Sequence, residues 1–130
     1  MAETRKQISI ETTHREKTIL VVEDDAEIAA MLTQTILEET RHKALLASNG
    51  LEALDIIKDV KPDLLILNYR LPRMSGIEFY DKASSEEEPI PTIMVSANLP
   101  RQEIAQRKIV SIHKPFELDE LLNTIEKLLV

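Results

Sequence analysis

Cysteine and tryptophan do not occur in this 130-residue chain, and glycine occurs only twice. Without thiols, neither a disulfide scaffold nor a thiolate metal site is available. Two glycines are too few for the Gly-rich loop that cradles phosphate in many nucleotide-binding folds. Aromatic residues are limited to two Tyr and two Phe. The core must therefore be aliphatic, and the loops lack rings to sandwich a flavin. Basic residues are outnumbered: 16 Lys and Arg stand against 23 Asp and Glu, for a net charge of -7. That balance argues against non-specific nucleic-acid binding, which needs clustered cations to neutralise phosphates. No apolar run approaches the roughly 18 residues of a membrane helix, and the N-terminus lacks the apolar centre of a secretory signal. A single domain without nucleic-acid or membrane partners, in the cytoplasm, is the expectation.

What the chain does have is alternation. Residues 1–17 are polar and without sustained period, and read as a flexible leader in which Ile8–Ile10 could form a short extra strand. From residue 18 to 130, short apolar runs alternate with helical patterns. Thr18–Val22 (TILVV), Lys43–Ala47 (KALLA), Leu64–Leu67 (LLIL), Thr92–Val95 (TIMV) and Val110–Ile112 (VSI) read as strands. The first helix, Ala26–Thr40, is capped by Asp25 and turns Ile28, Met31, Leu32, Thr35 and Ile36 inward. A second runs from Leu51 to Val60 with Leu51, Leu54 and Ile57 inward. Shorter helices follow near Ile77–Ala83 and from Arg101. The last places Leu118, Leu121, Leu122, Ile125, Leu128 and Leu129 on one face. Unbroken apolar strands alternating with helices predict an α/β fold, a parallel sheet covered on both faces. The three histidines, His14, His42 and His113, lack metal-ligand spacing and read as surface residues.

In such a sheet the site lies beyond the carboxyl ends of the strands. Glu23, Asp24 and Asp25 follow the first strand, Asn68 the third, Ser96 the fourth and Lys114 the fifth. Adjacent carboxylates suit a hard cation such as Mg²⁺, and a hydroxyl with an ammonium suits phosphoryl oxygens. The missing part is a nucleophile. A carboxylate at position 68 could attack phosphorus, whereas the amide of Asn68 has neither the charge nor the nucleophilicity.

These residues carry a resemblance. ILVVEDDAEI, PDLLILNYRLPRMSG, PTIMVSA and HKPF occur in order and at spacings that resemble a response-regulator receiver domain of bacterial two-component signalling. The similarity runs from about Thr18 to Val130. It implies a flavodoxin-like (βα)5 fold with strand order 2-1-3-4-5 and an acidic pocket at Glu23 and Asp24. It also implies Mg²⁺ held there together with the backbone carbonyl of Arg70, and a Lys114–Pro115 peptide that is often cis. Ser96 and Lys114 match the positions that sense phosphate.

Two departures stand out. Asn68 occupies the phospho-acceptor position, so Mg²⁺ should bind weakly and no phosphate should attach there. The span from Ser96 to Lys114 is shorter than usual by about one helical turn, and Ser111 stands where an aromatic switch residue is usual. The resemblance implies no turnover chemistry and signal relay by protein contact, and, with the last helix ending the sequence, a stand-alone receiver is the expectation. Its partners would be a sensor histidine kinase or phosphotransfer protein and a further downstream protein. Three alternatives remain open: a degenerate receiver that never uses phosphate, a phosphorylatable receiver whose Asp was exchanged for Asn, and a phosphohydrolase or nucleotide-binding protein on the same fold.

Overall fold

The computed structural model describes residues 16–85 and 88–130. Five strands, β1 (Thr18–Val22), β2 (Lys43–Ala47), β3 (Leu64–Asn68), β4 (Thr92–Ser96) and β5 (Ile109–His113), form one sheet of order β2-β1-β3-β4-β5. Every pairing is parallel. Between and after them lie α1 (Ala26–Glu39), α2 (Gly50–Asp59), α3 (Gly76–Ala83), α4 (Arg101–Ala105) and α5 (Leu118–Leu129). The fold is the flavodoxin-like one expected. The Ile8–Ile10 segment and His14 lie outside the described residues.

Period-two alternation divides the core between the two faces of the sheet. Leu20, Val22, Leu65, Leu67 and Met94 point to one face, where they pack with Ala53, Phe79 and Ile104 of α2, α3 and α4. Ile19, Val21, Leu64, Ile66, Ile93 and Val95 point to the other, against Leu32 and Ile36 of α1 and Leu121 and Ile125 of α5. Asp25 accepts hydrogen bonds from the backbone N–H groups of Glu27 and Ile28, and Asn49 from that of Glu52. Both helices thus begin on side-chain caps, where the first N–H groups lack intrahelical partners.

Several expectations are corrected. Only the central strands are covered on both faces; at the edges Leu46 of β2 and Val110 of β5 are 42% and 40% exposed. Met31, Leu51 and Leu118 were expected inward yet are 42%, 50% and 40% exposed, because the stripe in contact with the sheet is narrower than the apolar stripe in the sequence. His42 is buried, not a surface residue. Its Nδ1 accepts a hydrogen bond from the Lys17 backbone N–H at 3.0 Å, and its Nε2 lies 3.8 Å from Glu126 Oε1. Ordering the chain just ahead of β1 takes this side chain out of water.

The five-residue α4 has no side-chain cap and is tied down from outside. Arg107, in the turn leading to β5, grips Asp81 of α3 with Nε and Nη2, each 2.7 Å from a carboxylate oxygen, while Nη1 donates to the Glu103 carbonyl. The forked hydrogen bonds of Arg107 hold the Asp81 carboxyl below its ordinary value. A carboxyl with a depressed folded pKa stabilises the fold above its unfolded pKa, and that contribution disappears as pH falls through the folded value. Both groups are reached by water, so the pair is worth less than about 1 kcal/mol. Urea unfolding of Asp81→Asn should show a small stability deficit at neutral pH that shrinks as pH falls below the ordinary Asp value and through the lowered folded one. A deficit that does not shrink as pH falls would contradict this account.

Candidate functional site at the carboxyl ends of β1, β3 and β5

The ladders of the sheet carry the site residues to one edge. Glu23 N–H bonds to the Ala47 carbonyl at 3.0 Å, Tyr69 N–H to that of Val95 at 3.2 Å, and Lys114 N–H to that of Ser96 at 3.0 Å. Each polar residue is therefore fixed one step past, or at the end of, a strand whose buried apolar side chains set its register. The loop after β3 closes by a Gly76 N–H bond to the Tyr69 carbonyl at 2.8 Å. It turns at Arg73, whose φ of 68° lies in the left-handed region. The Lys114–Pro115 peptide is cis, as the resemblance implies.

Asn68 is the centre of the arrangement. Its Nδ2 lies 3.2 Å from Glu23 Oε2, 3.4 Å from Asp24 Oδ1 and 3.1 Å from the Arg70 carbonyl oxygen. The structure thus brings Glu23, Asp24, Asn68 and the Arg70 carbonyl together. Lys114 Nζ approaches Glu23 Oε1 at 3.8 Å, so this cation leans on the carboxylate it shares the pocket with. Glu23 is 4% exposed, and its Oε2 also accepts the Asp25 backbone N–H at 3.1 Å. Burial pushes the Glu23 carboxyl up from its ordinary value, with Asp24 adding to the rise; the Asp25 N–H and the Lys114 ammonium oppose it.

Asp25 caps α1, as expected, and one predicted site residue faces elsewhere. Ser96 is buried, but its hydroxyl turns to its own loop, donating to the Asn98 carbonyl at 3.4 Å and accepting from the Asn98 N–H at 3.3 Å. Gly76, eight residues after position 68 at the end of the PDLLILNYRLPRMSG motif, is also a part of the site. A Cβ there would sit 2.8 Å from the Asn68 carbonyl oxygen, so only glycine lets the loop fold back onto the end of β3.

The oxygens that would hold Mg²⁺ do not fit it as they stand. Mg²⁺ requires oxygens at about 2.0–2.1 Å and keeps several waters. Here Glu23, Asp24 and the Arg70 carbonyl surround a nitrogen whose two hydrogens are shared among all three, at N–H···O spacings. Beneath them, a cavity of about 10 Å³ lies between Glu23, Asn68 and Lys114 and the apolar Ile28, Val95 and Phe116; that is marginal space for one water. Among the described residues no three His, Cys, Asp or Glu are grouped as a cation site would need, and no helix is long and apolar enough to cross a membrane.

Known proteins share this architecture. Residues 19–126 match the family described as response regulator receiver domain. The chain is 32% identical over 115 residues to sporulation initiation phosphotransferase F of Bacillus subtilis, covering 85% of this chain and 92% of that protein. It is 32% identical over 118 residues to the response regulator MprA of Mycobacterium avium, covering 85% of this chain and 50% of the relative, so it spans half of that protein's length. Among solved structures, the signal receiver domain of a signal transduction histidine kinase from Syntrophus aciditrophicus superposes with a TM-score of 0.75 at 27% identity, over 87% of this chain and 89% of that one. The chemotaxis protein CheY4 of Vibrio cholerae shares the fold, with a TM-score of 0.78 at 24% identity over 87% and 98% of the two chains.

Proposed function

The chain belongs to the response regulator receiver domain family of two-component signalling, and from that premise we propose that it signals through protein contacts without accepting phosphate at position 68. Receiver domains are signalling modules, not enzymes in general. The observation that carries the reading is the identity and setting of Asn68. Its carboxamide stands at the end of β3, at the acceptor position, with Glu23 and Asp24 on one side and the Arg70 carbonyl on the other. An amide there offers no lone pair basic enough to attack phosphorus, and its N–H groups point at the oxygens that would otherwise order the cation.

Contacts would then carry the signal. Beside the pocket, Ile28 and Met31 of α1 and Pro115, Phe116 and Leu118 at the start of α5 line an open, mostly apolar depression of about 440 Å³. A sensor histidine kinase or a phosphotransfer protein is the proposed partner, with a second protein downstream; the phosphotransferase named among the relatives supports a place in a relay. The cytoplasm is the proposed location, and Mg²⁺ the cation the family pocket would take, bound weakly here.

Acetyl phosphate with Mg²⁺, followed by intact-mass measurement, tests the claim about position 68. The wild-type chain should show no added phosphoryl group at that residue. A phosphopeptide mapped to Asn68 would overturn the reading.

A further inference from the structure

We propose that the Asn68 carboxamide is a built-in substitute for the cation, a plug that keeps divalent ions out of a pocket still furnished with two carboxylates and a carbonyl. This deepens the proposed function and rests on its reading of the chain as a receiver that takes no phosphate at position 68.

A single atom, Asn68 Nδ2, lies within 3.4 Å of Glu23 Oε2, Asp24 Oδ1 and the Arg70 carbonyl oxygen. An amide nitrogen carries two hydrogens, yet three oxygens converge on it, two of them from acidic side chains. That is the coordination pattern of a small cation at hydrogen-bonding distance. Turning the amide over would aim Oδ1 at the same three oxygens, four acceptors with no proton between them, so nitrogen-inward is the orientation the electrostatics favour. Lys114 Nζ at 3.8 Å from Glu23 Oε1 supplies the remaining positive charge. Between them the amide and the ammonium answer the acidic residues without a metal.

The consequence separates a plug from a mere gap. If Asn68 only lacked a ligating charge, removing its side chain would change nothing for a cation. If the amide occupies the place, removing it frees the oxygens and affinity rises. Mn²⁺ is the probe, titrated into the ¹⁵N-labelled full chain with paramagnetic broadening of the amides near Glu23, Asp24 and Tyr69 as the readout. Asn68→Ala should bind Mn²⁺ about tenfold more tightly than wild type, the equivalent of releasing one charge-assisted hydrogen bond. Asn68→Ser serves as the second small variant should the alanine protein not give a folded spectrum.

Equal or weaker binding by the folded small variants, relative to wild type, would overturn the plug. It would leave the wider reading standing, since that reading falls only to phosphate found on Asn68.

Discussion

Asn68→Asp should convert a chain that takes no phosphoryl group into one that gains one per molecule from acetyl phosphate. The carboxylate oxygen attacks phosphorus, the bond from phosphorus to the acetyl oxygen breaks, acetate leaves, and an acyl phosphate remains on the side chain. The scaffold for this is already ordered. β3 ends at position 68 between paired strands on either side, and Lys114 sits across the pocket beside Glu23. The same exchange has a cost without metal. The hydrogen bonds that the amide's two protons share among three acceptors become contacts between a new carboxylate and the oxygens of Glu23, Asp24 and Arg70, which now lie 3.2, 3.4 and 3.1 Å from the side chain's nitrogen. Loss of those bonds and like-charge repulsion should lower stability by about 1–3 kcal/mol. Added Mg²⁺ should recover it, since a ligand that binds only the folded state stabilises that state. Intact mass and urea unfolding with and without Mg²⁺ check both halves. A folded Asn68→Asp protein that takes no phosphate would show that the pocket has lost more than its acceptor.

Gly76→Val is expected to have the largest effect on stability, about 2–4 kcal/mol, combining overpacking with disturbance of the Gly76–Tyr69 hydrogen bond. The added Cβ would meet the Asn68 carbonyl oxygen at 2.8 Å, the Met94 methyl at 3.0 Å and the Tyr69 Cα at 3.2 Å. Two of these are backbone atoms of a segment held in the sheet, where Tyr69 N–H bonds to Val95, so the loop must give way. Because that loop presents the Arg70 carbonyl to Asn68, the damage reaches the pocket. Gly50 offers the internal comparison. Its nearest obstacle is the flexible Met74 Sδ at 2.9 Å, and Gly50→Ala should cost under about 1 kcal/mol, since such a side chain can move aside. Urea midpoints measure both; equal losses at the two glycines would contradict the distinction.

Much of this was legible in the sequence, for physical reasons. Leu64–Leu67 and Ile19–Val22 are unbroken apolar runs too short for a buried helix, which suits a strand covered on both faces, and their alternation with helices leads to the parallel sheet. Once the strands are placed, Glu23, Asp24, Asn68 and Lys114 must meet at their carboxyl ends. Less legible were matters decided by neighbours. Leu51 and Met31 fit a helical stripe, but which part of that stripe touches the sheet depends on how the helix is rotated about its axis. His42 looked like a surface residue because nothing local indicates that the Lys17 N–H arrives to claim its Nδ1. Ser96 lies where a pocket hydroxyl belongs, yet Asn98, two residues on, competes for it. The three-way contact of the Asn68 nitrogen needed side-chain distances, although an amide with two donors facing Glu23 and Asp24 was itself a signal.

The central claim is that position 68 presents N–H donors to oxygens where cation and phosphate chemistry calls for a carboxylate. NMR of the Asn68 side-chain NH₂ group in the wild-type protein observes this directly. Held between Glu23, Asp24 and the Arg70 carbonyl, the two protons should be well separated in shift, slow to exchange with solvent and unmoved by millimolar Mg²⁺. A rapidly exchanging pair with the shifts of a free amide, or one displaced as Mg²⁺ is added, would contradict the account.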